Sequence, residues 1–112
     1  MTNIVITGCS TGIGLETANY LKNKFIEVYP TARDPKDVEM LKELGFEHAM
    51  LLDVKKPEMI TSVINRVLEL DGKIDTWFNN AGFGQPGAIE DIQTDILREQ
   101  FETNVFGLHE CT

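Results

Sequence analysis

Thr7-Gly8-Cys9-Ser10-Thr11-Gly12-Ile13-Gly14 lies between a β-branched run, Asn3 to Thr7, and an amphipathic stretch that begins at Ile13. A junction of this kind is suited to holding a phosphate. Gly8 permits a tight turn, Gly12 lets the backbone approach a bound pyrophosphate, and Gly14 allows the following helix to pack closely, while the first N–H groups of that helix favour negative charge. Ser10, Thr11 and Ile13 fill the loop between the glycines. A second candidate is Thr31-Ala32-Arg33-Asp34. About 20 residues beyond the glycines, a site for an unphosphorylated dinucleotide carries an acid against the ribose hydroxyls. Here the neutral Ala32 stands there, followed by Arg33, whose guanidinium can fork onto a phosphate.

Strand, glycine loop and helix open a βαβ unit, and the rest of the chain continues the alternation. Ile13, Thr17, Ala18, Leu21 and Phe25 recur at helical spacing, and Ile26 to Thr31 supplies a second strand. Asp34 followed by Pro35 is an N-cap with a proline at the first helical position; Val38, Leu41 and Leu44 then mark a helix stopped by Gly45. Phe46 to Leu52 reads as a third strand. Pro57 opens the clearest helix, with Ile60, Val63, Ile64, Val67 and Leu68 as its apolar stripe. Asp71-Gly72 turns into a strand over Ile74 to Phe78, a glycine-rich loop covers Asn79 to Gly87, and a last helix from about Thr94 carries Leu97, Phe101, Val105 and Leu108 on one face. Strict alternation with short connections predicts an α/β fold, three αβα layers around a parallel sheet.

The spacing T-G-x-x-x-G-I-G resembles the nucleotide-binding motif of the short-chain dehydrogenase/reductases, and three more segments match that family in order. Asp53-Val54 after the third strand resembles its adenine-contacting pair, Asn79-Asn80-Ala81-Gly82 its N-N-A-G motif, and Asn104 in Asn104-Val105-Phe106-Gly107 its helix asparagine. The stretch from Asn79 to Ile92 is similar to the steroid, retinol and aldehyde reductases of the family. The resemblance implies a Rossmann-type sheet of order 3-2-1-4, a cofactor site at Gly8, Ser10, Thr11, Gly12, Ile13, Gly14, Arg33, Asp53, Val54, Asn80, Ala81 and Gly82, and a small carbonyl or alcohol as substrate. With Ala32 and Arg33 at the specificity position, NADP(H) is expected over NAD(H).

Family catalysis uses a Ser and a Tyr-x-x-x-Lys that follow the helix containing Asn104, where the asparagine orders a water beside the lysine. Residues 1–112 are therefore expected to form one NAD(P)-binding Rossmann domain ahead of that catalytic segment, inactive alone, with Asn104 catalytically meaningful only beside it. Tyr20 and Lys24 match Tyr-x-x-x-Lys but lie on the first helix, on the wrong side of the site. The alternative for Asp53 is that it merely caps a turn at the strand end, and Asn80 is expected to tie strands together.

Composition narrows the alternatives. A net charge of -8 with 42% hydrophobic and 25% charged residues fits one globular unit and disfavours nucleic acid and anionic membrane surfaces as partners. Cys9 and Cys111 have no C-x-x-C spacing or nearby histidine, so they read as free thiols, with no metal site, and a cytoplasmic location is expected. His48 and His109 have no nucleophile beside them in sequence; Glu90, Asp91 and Asp95 read as the solvated approach to a helix. Two functions remain: the cofactor-binding portion of an oxidoreductase, or a non-catalytic dinucleotide-binding regulatory module. An edge strand at Ile74 to Phe78, apolar surface at Trp77 or Phe78 and the last helix, which the family packs against a partner, together predict a homo-oligomer.

Overall fold

The computed structural model describes residues 1–84 and 86–112. Strands β1 (Asn3–Ile6), β2 (Glu27–Ala32), β3 (Met50–Leu51) and β4 (Thr76–Phe78) form one parallel sheet in the order β3-β2-β1-β4. Helices α1 (Gly12–Lys22), α2 (Pro35–Glu43) and α3 (Pro57–Asp71) make the crossovers. A single turn of 3-10 helix at Ile89–Asp91 precedes α4 (Thr94–Phe101), which continues through a π-helical segment, Glu102–Gly107, into α5 (Leu108–Cys111). The layers follow from alternation along the strands. Ile6, Val28 and Ala32 face Ala18 of α1 and Val38 and Leu41 of α2, while Val5 and Tyr29 face Ile60, Val63 and Val67 of α3.

Several element boundaries differ from those expected. The third strand is two residues long, not Phe46 to Leu52, and Pro30 gives the reason. The Glu27 N–H and the Thr31 carbonyl both serve the β1 side of β2. By alternation the nitrogen of Pro30 faces β3, where it has no hydrogen to donate, so pairing with β3 begins only at Thr31 opposite Met50. Phe46 and Ala49 are buried in a turn instead, joined by an Ala49 N–H to Phe46 carbonyl bond of 3.2 Å. Helix α1 ends at Lys22, and Phe25 sits beyond it in a left-handed conformation (φ 59°), 89% exposed. Ile13 also leaves the apolar face and is exposed at the loop.

Other signals act as read. The Asp34 carboxylate accepts from the Lys36 N–H at 2.9 Å with Pro35 behind it, and Gly72 ends α3 at φ 74°. Strand β4 forms an edge of the described sheet, although Trp77 and Phe78 are half-buried against the two cores rather than open. Gln85, inside the expected glycine-rich loop, lies outside the described residues. No helix among the described residues is long and apolar enough to cross a membrane.

Candidate nucleotide-binding site

The carboxyl ends of β1, β2 and β3 and the loop after β4 open onto one cleft of about 440 Å³. This is where open parallel sheets bind ligands. Of the residues singled out in the sequence, Gly8, Ser10, Thr11, Gly12, Ile13, Arg33, Asp53, Val54, Asn80, Ala81 and Gly82 all line it. Gly14 and Asn104 do not, and each supports a wall from behind.

The glycines divide their work as the turn requires. Gly8, at φ 69°, passes so close to the following loop that a Cβ would stand 2.8 Å from the Cα of Ala81. A Cβ on Gly14 would collide with the Gly8 carbonyl and the Asn80 amide. Gly12 differs: at φ 61° it has nothing within 4 Å, so its backbone is bare toward the cleft. Helix α1 starts beside it with neither a side-chain cap nor an acidic residue in its first turn. Unspent N–H groups, a dipole end and a bare glycine backbone fit a bound pyrophosphate.

Thr7 holds this loop to the next one, and the sequence reading passed over it as a site residue. Its buried hydroxyl accepts from the backbone N–H groups of Asn80 (3.0 Å) and Ala81 (2.9 Å) and donates to the Phe78 carbonyl (3.4 Å). The Asn80 amide answers by donating to the carbonyls of Thr7 (3.1 Å) and Gly8 (3.0 Å). Asn80 thus ties the glycine loop to the end of β4. Asn79 faces elsewhere: its side chain accepts from the Trp77 indole at 2.9 Å and donates to the Thr112 hydroxyl at 3.2 Å.

At the other end, Ala32 is buried and Arg33 exposed, with no hydrogen-bond or ion-pair partner for its side chain among the described residues. Asp34 is occupied as the cap of α2. One carboxylate oxygen of Asp53 accepts from the Lys55 N–H at 3.0 Å, so the turn-capping role is present while the residue also borders the cleft. Val54 is buried against Gly107, where a Cβ would stand 2.6 Å from its Cγ2. Ala32, Leu52, Phe83 and Thr103 complete the lining, and the last three were not singled out as site residues in the sequence. Thr103 immediately precedes Asn104, and helix periodicity alone could not tell which residues of that segment turn inward.

Asn104 grips Phe83 from behind the cleft, accepting from its N–H at 2.9 Å and donating to its carbonyl at 2.6 Å. Gly82 must lack a side chain here, because a Cβ would stand 2.8 Å from the Asn104 Oδ1. The π-helical turn accompanies this grip, as such turns often do at functional sites. Tyr20 lies on α1, but Lys24, expected on the same helix, falls just beyond its end at Lys22; the ammonium stands 4.9 Å from the ring centroid, and neither residue lines the cleft. Burial pushes the Cys9 thiol up to about 11, against a weaker opposing pull from the Thr31 backbone; burial and the Glu110 charge do the same for Cys111, with Trp77 opposing. Both are inert thiols rather than nucleophiles. The described residues contain no His, Cys, Asp and Glu cluster able to hold a metal ion.

Comparison with known proteins agrees with this geometry. The oxidoreductase YbbO of Escherichia coli strain K12 is 40% identical over 111 residues, an alignment covering 98% of this chain and 41% of YbbO. A short-chain dehydrogenase from Streptomyces avermitilis superposes with a TM-score of 0.88 at 34% identity over 99% of this chain and 42% of its own. The 3-ketoacyl-(acyl-carrier-protein) reductase from Brucella melitensis, solved with NADH, gives a TM-score of 0.90 at 25% identity, covering 99% and 47%. This chain therefore spans less than half the length of the relatives it matches. The short chain dehydrogenase family model matches residues 2–112, and the chain belongs to that family of oxidoreductases.

Proposed function

We propose that this chain is the NADP(H)-holding part of an oxidoreductase whose complete form acts on a carbonyl or alcohol substrate of the kind taken by steroid, retinol and aldehyde reductases. Arg33 carries the cofactor preference: beside the neutral, buried Ala32 at the cleft, it offers an unpaired guanidinium where a 2′-phosphate would lie. The dinucleotide supplies or accepts a hydride when bound. The chain's own residues bind and orient it. Gly8 to Gly14 and the start of α1 receive the pyrophosphate, Asp53, Val54 and Thr103 border the adenine end, and Asn80, Ala81 and Gly82 form the opposite wall. In the complete protein a Ser and a Tyr-x-x-x-Lys outside these residues handle the proton, with Asn104 positioned beside the lysine.

The proposed location is the cytoplasm, which two buried free thiols support. The complete protein is proposed to be a homo-oligomer, supported by the edge position of β4 and the exposed apolar side chains of α4. Calorimetric titration of the chain and its Arg33→Ala variant with NADPH and NADH tests the cofactor assignment. The variant should lose roughly 1–3 kcal/mol of NADPH binding, the scale of a charge-assisted bond left unmade, with little change for NADH. Equal losses for both would remove the 2′-phosphate from the account.

A further inference from the structure

Thr103 carries a hydroxyl that the fold buries without using. The residue is 8% exposed and lines the cleft from the π-helical segment Glu102–Gly107. Thr61, Ser62 and Thr112 each donate to the carbonyl four residues earlier, at 3.2, 3.0 and 2.9 Å, the usual outlet for a hydroxyl on or just after a helix. Thr103 makes no such bond to Glu99, and its hydroxyl has no other partner among the described residues. No sealed-off polar side-chain atom among these residues lacks a partner, so the Thr103 oxygen keeps an opening, and that opening is on the cleft. A polar group so deeply buried and unpaired calls for a partner from outside the fold.

Helix register says what it faces. Gly107 follows one turn later on the same side of the segment and packs on Val54, which seats Thr103 at the Asp53-Val54 end of the cleft. The buried Ala32, Leu52 and Val54 make that end apolar. Two polar groups with complementary abilities stand among them. One carboxylate oxygen of Asp53 is taken by the Lys55 N–H, which leaves the other to accept, and the Thr103 hydroxyl can donate. An apolar slot with one acceptor and one donor matches the edge of adenine, whose amino group donates beside a ring nitrogen, N1, that accepts.

We propose that the Thr103 hydroxyl recognises the base of the bound dinucleotide, donating to N1 of adenine while the free Asp53 oxygen accepts from the amino group. The proposal rests on the cleft being the dinucleotide site. It makes Thr103 a specificity residue: a slot of Ala32, Leu52 and Val54 alone would take any flat ring, and the hydroxyl adds a bond that depends on one ring atom. The same hydroxyl does nothing for the fold, because no residue of the chain receives it.

Calorimetric titration of the 112-residue chain tests this with NADPH, with adenosine 2′,5′-bisphosphate as the adenine half alone, and with that half carrying C–H in place of N1. Thr103→Val, which keeps the shape and removes the hydroxyl, should weaken NADPH and the adenine half alike by about three- to tenfold, and Thr103→Ser should restore most of the loss. The ligand without N1 should bind the natural chain more weakly by the same factor and should not distinguish it from Thr103→Val. Urea unfolding without ligand adds a readout that a structural role would move in the opposite direction. Thr103→Val should unfold at no lower urea concentration than the natural chain, since it loses only an unpaired hydroxyl. A midpoint lowered in Thr103→Val and recovered in Thr103→Ser would give the hydroxyl a partner within the fold and overturn the proposal. NADPH binding untouched by Thr103→Val, or equal losses for the ligands with and without N1, would also overturn it while leaving the cofactor assignment intact. No binding of NADPH or of its adenine half to the natural chain would remove that assignment and the proposal with it.

Discussion

Helices α3 and α4 carry the same kind of apolar spacing and meet opposite fates. Ile60, Val63 and Val67 of α3 are buried against Val5, Tyr29 and Leu52. Helix α4 buries none of its residues, and Leu97 and Phe101 remain nearly half exposed. Beyond α4, Gly107 packs against Val54 and Cys111 joins the α3 core, but α4 itself is held by polar ties in and around it: Lys55 meets Glu99 at 3.0 Å, Asn104 brackets Phe83, and the Asn79 amide donates to the Thr112 hydroxyl. An apolar stripe shows that a helix has a face to bury; the sheet decides whether something within the chain covers it.

The largest contrast should come from truncating one residue on each face. Ile60→Ala should cost about 2–5 kcal/mol, the range for emptying a packed site, whereas Leu97→Ala should stay within about 0.5 kcal/mol while its face is uncovered. Urea unfolding of the two variants at low protein concentration supplies the comparison. A Leu97→Ala penalty that appears only at high concentration would show a partner packed on α4; equal penalties at every concentration would mean that α4 is covered within the chain.

This contrast also marks what the sequence could and could not reveal. Glycine spacing located the loop, and the order of motifs located both walls of the cleft, because those signals are local and each has one backbone solution. Third-strand length was hidden because it depends on which neighbour the missing Pro30 hydrogen faces, a property of sheet register. Phe25 looked like part of the α1 stripe until the chain turned left-handed beyond Lys22. The π-helical turn was equally hidden, since a 3.6-residue period fitted Leu97, Phe101, Val105 and Leu108 well enough. That turn brings Thr103 into the cleft and Asn104 onto Phe83.

A middle-sized effect tests whether the polar ties of α4 matter to the cleft. Asn104→Ala removes an acceptor and a donor from the Phe83 backbone, a loss of about 1–2 kcal/mol for partly solvated bonds. Hydrogen exchange at the Phe83 amide should accelerate by the corresponding factor of about five to thirty, and NADPH affinity should fall. Asn104→Asp keeps the acceptor for the Phe83 N–H but sets a carboxylate against its carbonyl, so it should behave no better than alanine. Unchanged exchange at Phe83 in both variants would mean that the loop is held by Thr7 and Asn80 without help from the helix.

The smallest effect concerns the far end of α3, which is pinned where α4 has no equivalent. Asp71 is its last residue, a position where the helix dipole disfavours negative charge. The Tyr29 hydroxyl, donating at 2.6 Å, and the Asn3 amide, donating at 3.0 Å, nevertheless hold its carboxyl below the usual carboxylate range, with Lys73 adding charge nearby. A depressed folded-state pKa contributes stability that is fully present above the unfolded value of about 3.9 and is lost as pH falls through the folded value. Burial, then Asp71 itself, raises the Tyr29 hydroxyl, so that contribution is full below about pH 10 and is lost as pH rises beyond it. Asp75 is held low as well, by the Asn3 backbone N–H and Lys73, but it titrates with or without the Tyr29 hydroxyl. Comparing urea midpoints of the natural chain and Tyr29→Phe from about pH 2 to 7 therefore isolates Asp71. The natural chain should lose more stability below about pH 4 than the variant does, and the two curves should converge once Asp71 is protonated. Parallel curves across that range would show that Tyr29 does not hold Asp71 in solution and that α3 keeps its place through its apolar face alone.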